Sequence, residues 1–375
     1  MRTRAPKVNR GQRIFPSYVY KLRTMSTELL GSISGAAPTL SAVAAAAGVS
    51  RSTASRVLSG SKAVSPEAKV KVSAAAERLG YRTNRAARSL RTKRTRLVGL
   101  VMNNLVNATF HVIAEVLQRR LSERGYQVLL CVTNADPQTE ARYISTLAEH
   151  QVDGLVILGT GQNTVELRAL EMAGTPVIHV VRASEDAPGE RLLASDEEGA
   201  LQAMRHLLGL DHRRIAYLGG GPDSNSGRER LAGYRHALMD ADVPYLPELM
   251  LQGPYEPAFG ASAVRQLLSE TPRPTAIYIA NHESAFGALP ALHELRVVIP
   301  AELSVICHED APWFRHWHPA LTIIDNGAVE LAELAAARVL ARMQTQPGGD
   351  QRTLYRVGAR LVLRSSTAKP ELASG

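Results

Sequence analysis

Residues 48–58 read GVSRSTASRVL, and the organisation of the chain can be worked outward from that pattern. Ala54, Val57 and Leu58 stand at i, i+3 and i+4, so they share one face of a helix. The rest of the surface carries only hydroxyls and guanidiniums: Ser50, Arg51, Ser52, Thr53, Ser55 and Arg56. Gly48 can make a sharp turn before this helix, because it has no Cβ to oppose a positive φ. Ser50 suits the N-cap. Upstream, Leu40, Val43, Ala44 and Ala47 mark the inner face of a short helix. Downstream, Ser65 is an N-cap followed by Pro66 at the first helical position. Val70, Ala74 and Leu79 are expected on the buried side of this third helix, and Gly80 ends it. Three short helices with a tight turn between the first two make a helix-turn-helix unit, expected over residues 38–83.

The net charge of +9 over 375 residues is unevenly spread. Residues 1–24 hold seven Lys or Arg and no acid, and residues 38–96 hold thirteen against Glu67 and Glu77. Everything from residue 97 onward sums to −8. A basic first quarter on an acidic body points to a polyanionic partner for one part only. Residues 1–37, basic and rich in Gly and Ser, are expected to be a disordered arm, and Met25 is an alternative start. The segment NRAARSLRTKRTR, 84–96, carries six Lys or Arg and cannot hold a core; on its residues alone it is a linker. Hydrophobic residues make up 45%, enough for a substantial core, yet no apolar run approaches the roughly 18 residues of a membrane span. No apolar h-region follows the basic N-terminus, so a cytoplasmic location is expected. Cys131 and Cys307 lie in apolar strand-like runs and are expected as buried free thiols.

From Leu97 short apolar runs alternate with helical patterns. The runs are LVGLVM (97–102), YQVLLCV (126–132), VDGLVILG (152–159), PVIHVV (176–181), RIAYLGG (214–220), TAIYIA (275–280) and LSVICH (303–308). Phe110–Arg124 and Gly327–Met343 are the clearest helices between and after them. This alternation predicts parallel sheets covered by helices. The length predicts two doubly wound α/β subdomains over 97–364, with 365–375 as a tail. Ligands of such sheets bind beyond the carboxyl ends of the strands, so the cleft between subdomains is the natural pocket.

The segments PTLSAVAAAAGVSRSTASRVLSG, VSPEAKVKV, LGYRTNRAARSLRTKRTRLVGLV, ERGYQVLL, VDGLVIL, HRRIAYLGG, RERLAGY and PALTII stand in the order and spacing of the LacI/GalR family of bacterial transcription regulators. The chain resembles that family over about 38–364. The resemblance implies a DNA-reading headpiece, a hinge helix, and a dimeric body like a periplasmic sugar-binding protein. It makes 50–58 the recognition helix. Major-groove edges offer acceptors and methyls, and phosphates offer anionic oxygens; Ser, Thr and Arg are donors suited to both. Arg51, Ser52 and Arg56 are the expected base-edge readers. Ser41, Thr53 and Ser55 are expected on phosphates, which set register without reading sequence; Ser50 is also counted among the DNA-binding residues. Within the hinge, Asn84, Ala87 and Leu90 match the family pattern, with Leu90 the residue that wedges into the minor groove of a pseudo-palindromic operator. Thr83 stands where proline is common, which leaves the unfolded hinge freer.

For the effector the resemblance implies Asn107, Phe110, Arg230, Asn281, Glu309 and Asn326. The chain departs from the family pattern around them. Glu309 is one methylene longer than the usual Asp, His282 replaces an acid, Val181 stands where Asp is frequent, and Ala108-Thr109 replace Pro-Phe. Lost acceptors and gained cations, with His282 in the site, favour an anionic sugar such as a sugar acid or sugar phosphate. No cofactor signature is present: GGGPDSNSGRER, 219–230, lacks the phosphate-loop and dinucleotide spacings. The cluster His308, Glu309, Asp310, His316 and His318 lacks a zinc spacing, and Trp313 and Phe314 beside it could rim the cleft. No heptad run follows Arg364, so a homodimer is expected rather than a tetramer. Two other classes compete with an effector-controlled repressor: a sugar-binding protein containing only this body, and a cleft enzyme using Glu309 or His282 as acid–base.

Overall fold

The computed structural model describes residues 38–59, 63–81, 94–345 and 352–371. The basic arm (1–37) and the hinge positions Asn84, Ala87 and Leu90 lie outside the described residues, as does the expected departure at Thr83. The chain divides after Asn84 into two units.

The first unit holds three helices: α1 (Leu40–Ala46), α2 (Arg51–Leu58) and α3 (Pro66–Arg78). Each begins on a hydroxyl cap. Thr39, Ser50 and Ser65 accept hydrogen bonds from the backbone N–H groups of Ala42, Thr53 and Ala68. Gly48 takes φ +66 in the turn between α1 and α2, as its residue type predicts. The core is small: Val43, Ala44, Ala47, Ala54, Val72, Ala75 and Ala76, with Leu40, Val57, Leu58 and Leu79 half-buried around it. The expected inner face of α3 is corrected here. Val70 is 70% exposed and Ala74 is also exposed; the buried stripe is Val72, Ala75 and Ala76. With 3.6 residues per turn, a stripe through Val72, Ala75, Ala76 and Leu79 puts Val70 on the far side.

The second unit contains two six-stranded sheets. In chain order its elements are β1 (Leu97–Met102), α4 (Ala108–Glu123), β2 (Gln127–Val132), α5 (Pro137–Glu149), β3 (Gly154–Leu158), α6 (Thr164–Met172), β4 (Val177–Val180), β5 (Glu190–Ala194) and α7 (Asp196–Gly209). Then follow β6 (Ile215–Gly220), α8 (Asn225–Asp240), β7 (Met250–Gly253), α9 (Pro257–Ser269), β8 (Ala276–Ile279), α10 (His282–Glu294), β9 (Ser304–His308), β10 (Thr322–Asp325), α11 (Ala328–Arg342), β11 (Leu354–Val357) and β12 (Arg360–Val362). The first sheet runs β11-β5-β4-β3-β1-β2 and is parallel throughout. The second runs β12-β10-β9-β8-β6-β7, parallel except for β12, which pairs antiparallel with β10. All seven apolar runs read from the sequence supply strands. Central strands such as β3, β8 and β9 are buried along their whole length, because helices cover both faces.

The chain passes between the halves three times: at Ser195 after β5, at Asn326–Gly327 after β10, and at Gly358–Ala359 after β11. Gly327 takes φ +70, and a side chain there would meet Val357. Helix α11 returns to the first half, where Leu331, Ala332, Ala335, Ala336 and Val339 join the core around Phe110, Ile113 and Leu117.

Two expectations need adjustment. The segment after 364 is not a free tail, for Ser366 is fully buried; its hydroxyl donates to the Val305 carbonyl and accepts from the Thr322 N–H. Cys307 is buried, but Cys131 is only half-buried, because β2 is an edge strand; both thiols are free. No helix among the described residues is long and apolar enough to cross a membrane.

Candidate functional site

On α2, Arg51, Ser52 and Arg56 are exposed, and no ion pair among the described residues engages either arginine. Ser41 is exposed on α1. Ser50 is occupied locally: its hydroxyl caps Thr53 N (3.1 Å) and lies 2.9 Å from both Ser52 Oγ and Thr53 Oγ1. Thr53 and Ser55 are half-buried. The helix therefore presents two unpaired guanidiniums and a row of hydroxyls on one side while Ala54 is sealed in the core. Arginine's fixed fork can reach guanine edges bidentately.

In the body, the carboxyl ends of the central strands bring together most of the residues expected at a ligand site. Asn107 caps α4 and projects from the first half. Its Nδ2 donates to Glu309 Oε2 (2.9 Å) and Glu283 Oε1 (3.1 Å), both in the second half. Arg230, on α8, is 2% exposed and fully engaged. Its Nε donates to Asp196 Oδ1 (2.8 Å), its Nη1 to the Ala280 carbonyl (2.7 Å) and its Nη2 to Glu309 Oε1 (3.0 Å). His308 flanks the network: its Nδ1 is 2.6 Å from the Tyr278 hydroxyl, and its Nε2 lies 3.1 Å from Asp196 Oδ1 without forming a hydrogen bond. Burial keeps the Tyr278 phenol protonated, so it donates to Nδ1 and leaves the imidazole hydrogen on Nε2, facing the carboxylate.

The charges follow from these contacts. Burial pushes Asp196 up, but Arg230 and His308 outweigh it and hold the acid at about 2. Burial likewise opposes ionisation of Glu309, and Arg230 reverses the balance, leaving it below the usual carboxylate range. Burial depresses both His308 and His282, so neither is cationic near neutrality. The expected gain of cations is thus corrected: His282 is neutral, and Arg230 is held by two acids.

The remaining expected residues are also placed. Asn281 caps α10, its Oδ1 accepting from Ser284 N (2.7 Å). Asn326 pairs with Thr109 across the crossing at 3.2 Å. The Phe110 ring is part of the first hydrophobic core and lies 5.7 Å below the Arg182 guanidinium, which also stacks on Tyr255 at 4.3 Å. His282 touches an aromatic group: its ring centroid is 5.7 Å from Phe314 and 6.4 Å from Trp313. The histidine–acid cluster of 308–318 does not converge. Asp310 pairs with Arg315 and Arg364, and His316 and His318 are exposed. Val181 adopts φ +68, a region that Asp or Asn tolerates better than a β-branched residue.

Sequence reasoning missed Asp196, Glu283 and Tyr278. Asp196 opens α7 in SDEEG, where an acid in the first helical turn already has an ordinary role beside the helix dipole. Glu283 was adjacent to a residue already selected. A second bridge between the halves was also missed: Asn225 Oδ1 accepts from Ala183 N (3.2 Å), and its Nδ2 donates to the Val181 carbonyl (3.3 Å).

Comparison with known proteins places both units. Residues 39–84 match the family model described as bacterial regulatory proteins, lacI family, and residues 204–367 match a periplasmic binding protein-like domain. The chain is 32% identical to the ribose operon repressor of Escherichia coli K12, over 84% of this chain and 96% of that one. It is 31% identical to the HTH-type transcriptional repressor PurR of Pectobacterium carotovorum, over 82% and 91%. Among solved structures, the lac repressor dimer bound to operator and the anti-inducer ONPF superposes with a TM-score of 0.76 at 28% identity, covering 89% of this chain and all of that one.

Proposed function

Because the chain belongs to the LacI family of bacterial regulatory proteins, we propose that it is a sequence-specific DNA-binding repressor controlled by a small polyhydroxylated effector taken between the halves of its body. It acts as a homodimer on a pseudo-palindromic operator, as two short recognition helices need two half-sites related by the protein's two-fold axis. The relative crystallised with operator is itself a dimer. Arg51, Ser52 and Arg56 read base edges, and Ser41, Thr53 and Ser55 hold phosphates. Ser50 serves first as the cap of the reading helix, an intrahelical role that keeps α2 formed. From the resemblance, Asn84, Ala87 and Leu90 form the hinge that pairs on DNA.

The observation that carries effector control is the bridge from Asn107 to Glu283 and Glu309. It joins the halves through side chains that a ligand can replace. Buried amide donors on Asn107 and Asn281 stand with acceptors on Glu309 and Glu283, which suits the mixed donor–acceptor character of hydroxyls. A sugar acid or sugar phosphate, the class favoured by the sequence, loses its support: Arg230 is already matched by Asp196 and Glu309, and His282 is neutral. An acid–base enzyme using Glu309 is disfavoured because both of its oxygens accept strong hydrogen bonds. The test is a genome-wide footprint followed by titration of footprinted DNA with purified protein and candidate sugars. Two symmetric half-sites protected by a dimer, and released or tightened by one sugar without its turnover, are expected. A single asymmetric half-site bound by monomer would refute the reading.

A further inference from the structure

The N-terminal turn of α10 holds buried polar groups that the chain itself does not satisfy. His282 is 2% exposed and Glu283 3% exposed. Neither ring nitrogen of His282, nor Glu283 Oε2, nor Asn281 Nδ2 has a hydrogen-bond partner among the described residues. Such groups are costly to bury unpaired. The neighbouring turns of the same helix offer no explanation, since Asn281 already caps the helix through its other atom.

Charge gives these atoms a direction. Glu283 Oε1 and Glu309 Oε2 bond to the same Asn107 nitrogen, so the two carboxylates lie within about 6 Å of each other, close enough for strong mutual repulsion in a buried setting. Only Glu309 is met by a cation, and that cation, Arg230, also serves Asp196. Glu283 receives amide hydrogens alone, from Asn107 and from Asn104 at 3.4 Å. Arg182 stacks on Phe110 and Tyr255, and no ion pair or hydrogen bond among the described residues joins it to Glu283, Glu309 or Asp196; its Nε is a buried donor without a partner among the described residues. Three carboxylates therefore share one guanidinium, Arg230, which pairs with Asp196 and Glu309 and leaves Glu283 without a cation. The free oxygens of the group, Glu283 Oε2 and Asp196 Oδ2, are both acceptors.

We infer that the effector is a hydroxylated amine, of which an amino sugar is the simplest class, with its ammonium held by Glu283 and its hydroxyls by Asn281 and His282. This rests on the regulatory reading above and narrows it. An ammonium supplies the missing charge and three donors. The neutral imidazole of His282 has one accepting nitrogen and one donating nitrogen, as a hydroxyl requires. Glu309, Glu283 and His111 are the titratable groups that act on that imidazole. The rings of Phe314 and Trp313 pack beside His282 without adding charge.

The experiment uses the full chain and isothermal titration with glucosamine, galactosamine and mannosamine. Each is compared with its parent hexose and its N-acetyl derivative. At least one amine should bind roughly tenfold or more tightly than both neutral counterparts. Glu283→Gln should erase that preference, bringing the amine to within about twofold of its parent hexose measured on the same variant, since the amide keeps the shape and removes the charge. Equal or tighter binding of the neutral sugar, no binding of any of the three amines, or an unaltered preference in Glu283→Gln overturns the inference. Operator affinity is measured on the same samples without ligand. A protein that binds its operator but ignores amines leaves the regulatory reading standing and removes only this one.

Discussion

Replacing Arg230 by Ala should cost the body far more than a ligand contact. The side chain is 2% exposed and makes three charge-assisted or carbonyl hydrogen bonds, to Asp196, Glu309 and the Ala280 carbonyl. Its loss leaves two buried carboxylates without their cation, a change worth about 3–5 kcal/mol. For a unit of this size that lowers the unfolding midpoint by roughly 10 °C. Part of the loss carries a pH signature. Asp196 titrates at about 2 in the folded chain against an ordinary 3.8, a difference of about 2 kcal/mol. A depressed acid contributes its stability above the unfolded value, so the contribution is present near neutrality and fades as the pH falls from about 4 towards 2. In Arg230→Ala that acid-sensitive component should disappear, flattening the acid limb. Arg230→Lys should fall between the two, because one ammonium keeps the charge but cannot form the fork. Denaturant unfolding of the three proteins across acidic and neutral pH measures both effects. A midpoint within about 2 °C of wild type, with the acid limb unchanged, would show that the Asp196–Arg230–Glu309 arrangement is not what holds the second half together. The threshold is set well below the shift expected from unpaired buried charge.

Three further outcomes follow from the headpiece and hinge. Arg56→Ala should cost about 1–3 kcal/mol of operator affinity and relax sequence preference, with helical content intact because the side chain is exposed; a uniform loss on all DNA would make it a phosphate contact. Ser50→Ala should lower headpiece stability by about 1 kcal/mol through the lost cap, read by thermal unfolding of the first unit's helices in the full chain; an unchanged transition would assign the hydroxyl to DNA instead. Leu90→Ala should weaken operator binding more than random-DNA binding and reduce the bend angle; equal losses on the two DNAs would mean that the hinge acts only as a charged tether.

Much of this architecture was legible in the residues. The caps at Ser50 and Ser65, the turn at Gly48 and the seven apolar runs are local signals, and local signals survive folding. The inner face of α3 was misjudged at Val70 because α3 is rich in Ala, so hydrophobicity alone barely marks which stripe faces the core. The cleft was half legible. Asn107, Arg230 and Glu309 meet through hydrogen bonds near the ends of the strands, while Asn281 caps α10 and Asn326 pairs with Thr109. What a linear sequence hides is partnership. Asp196 and Arg230 are 34 residues apart, and Asn107 and Glu309 are 202 apart. Reading His282 as a gained cation gave the wrong charge for the site, since its burial, which depresses the imidazole, comes from segments distant in sequence.

The three passages of the chain between the halves bear on how the protein is made. The first sheet acquires its last strand, β11, only when residues 354–357 exist, and its core is covered by α11 only after residue 342. By then all of β6–β10 has been synthesised. A chain emerging from its N-terminus must therefore hold β1–β5 with part of the Phe110 core open to solvent while the second half is still being completed. Translation pauses or premature stops between residues 195 and 327 should expose that apolar surface. Nascent chains of this length would then be the species most prone to aggregate or to recruit chaperones.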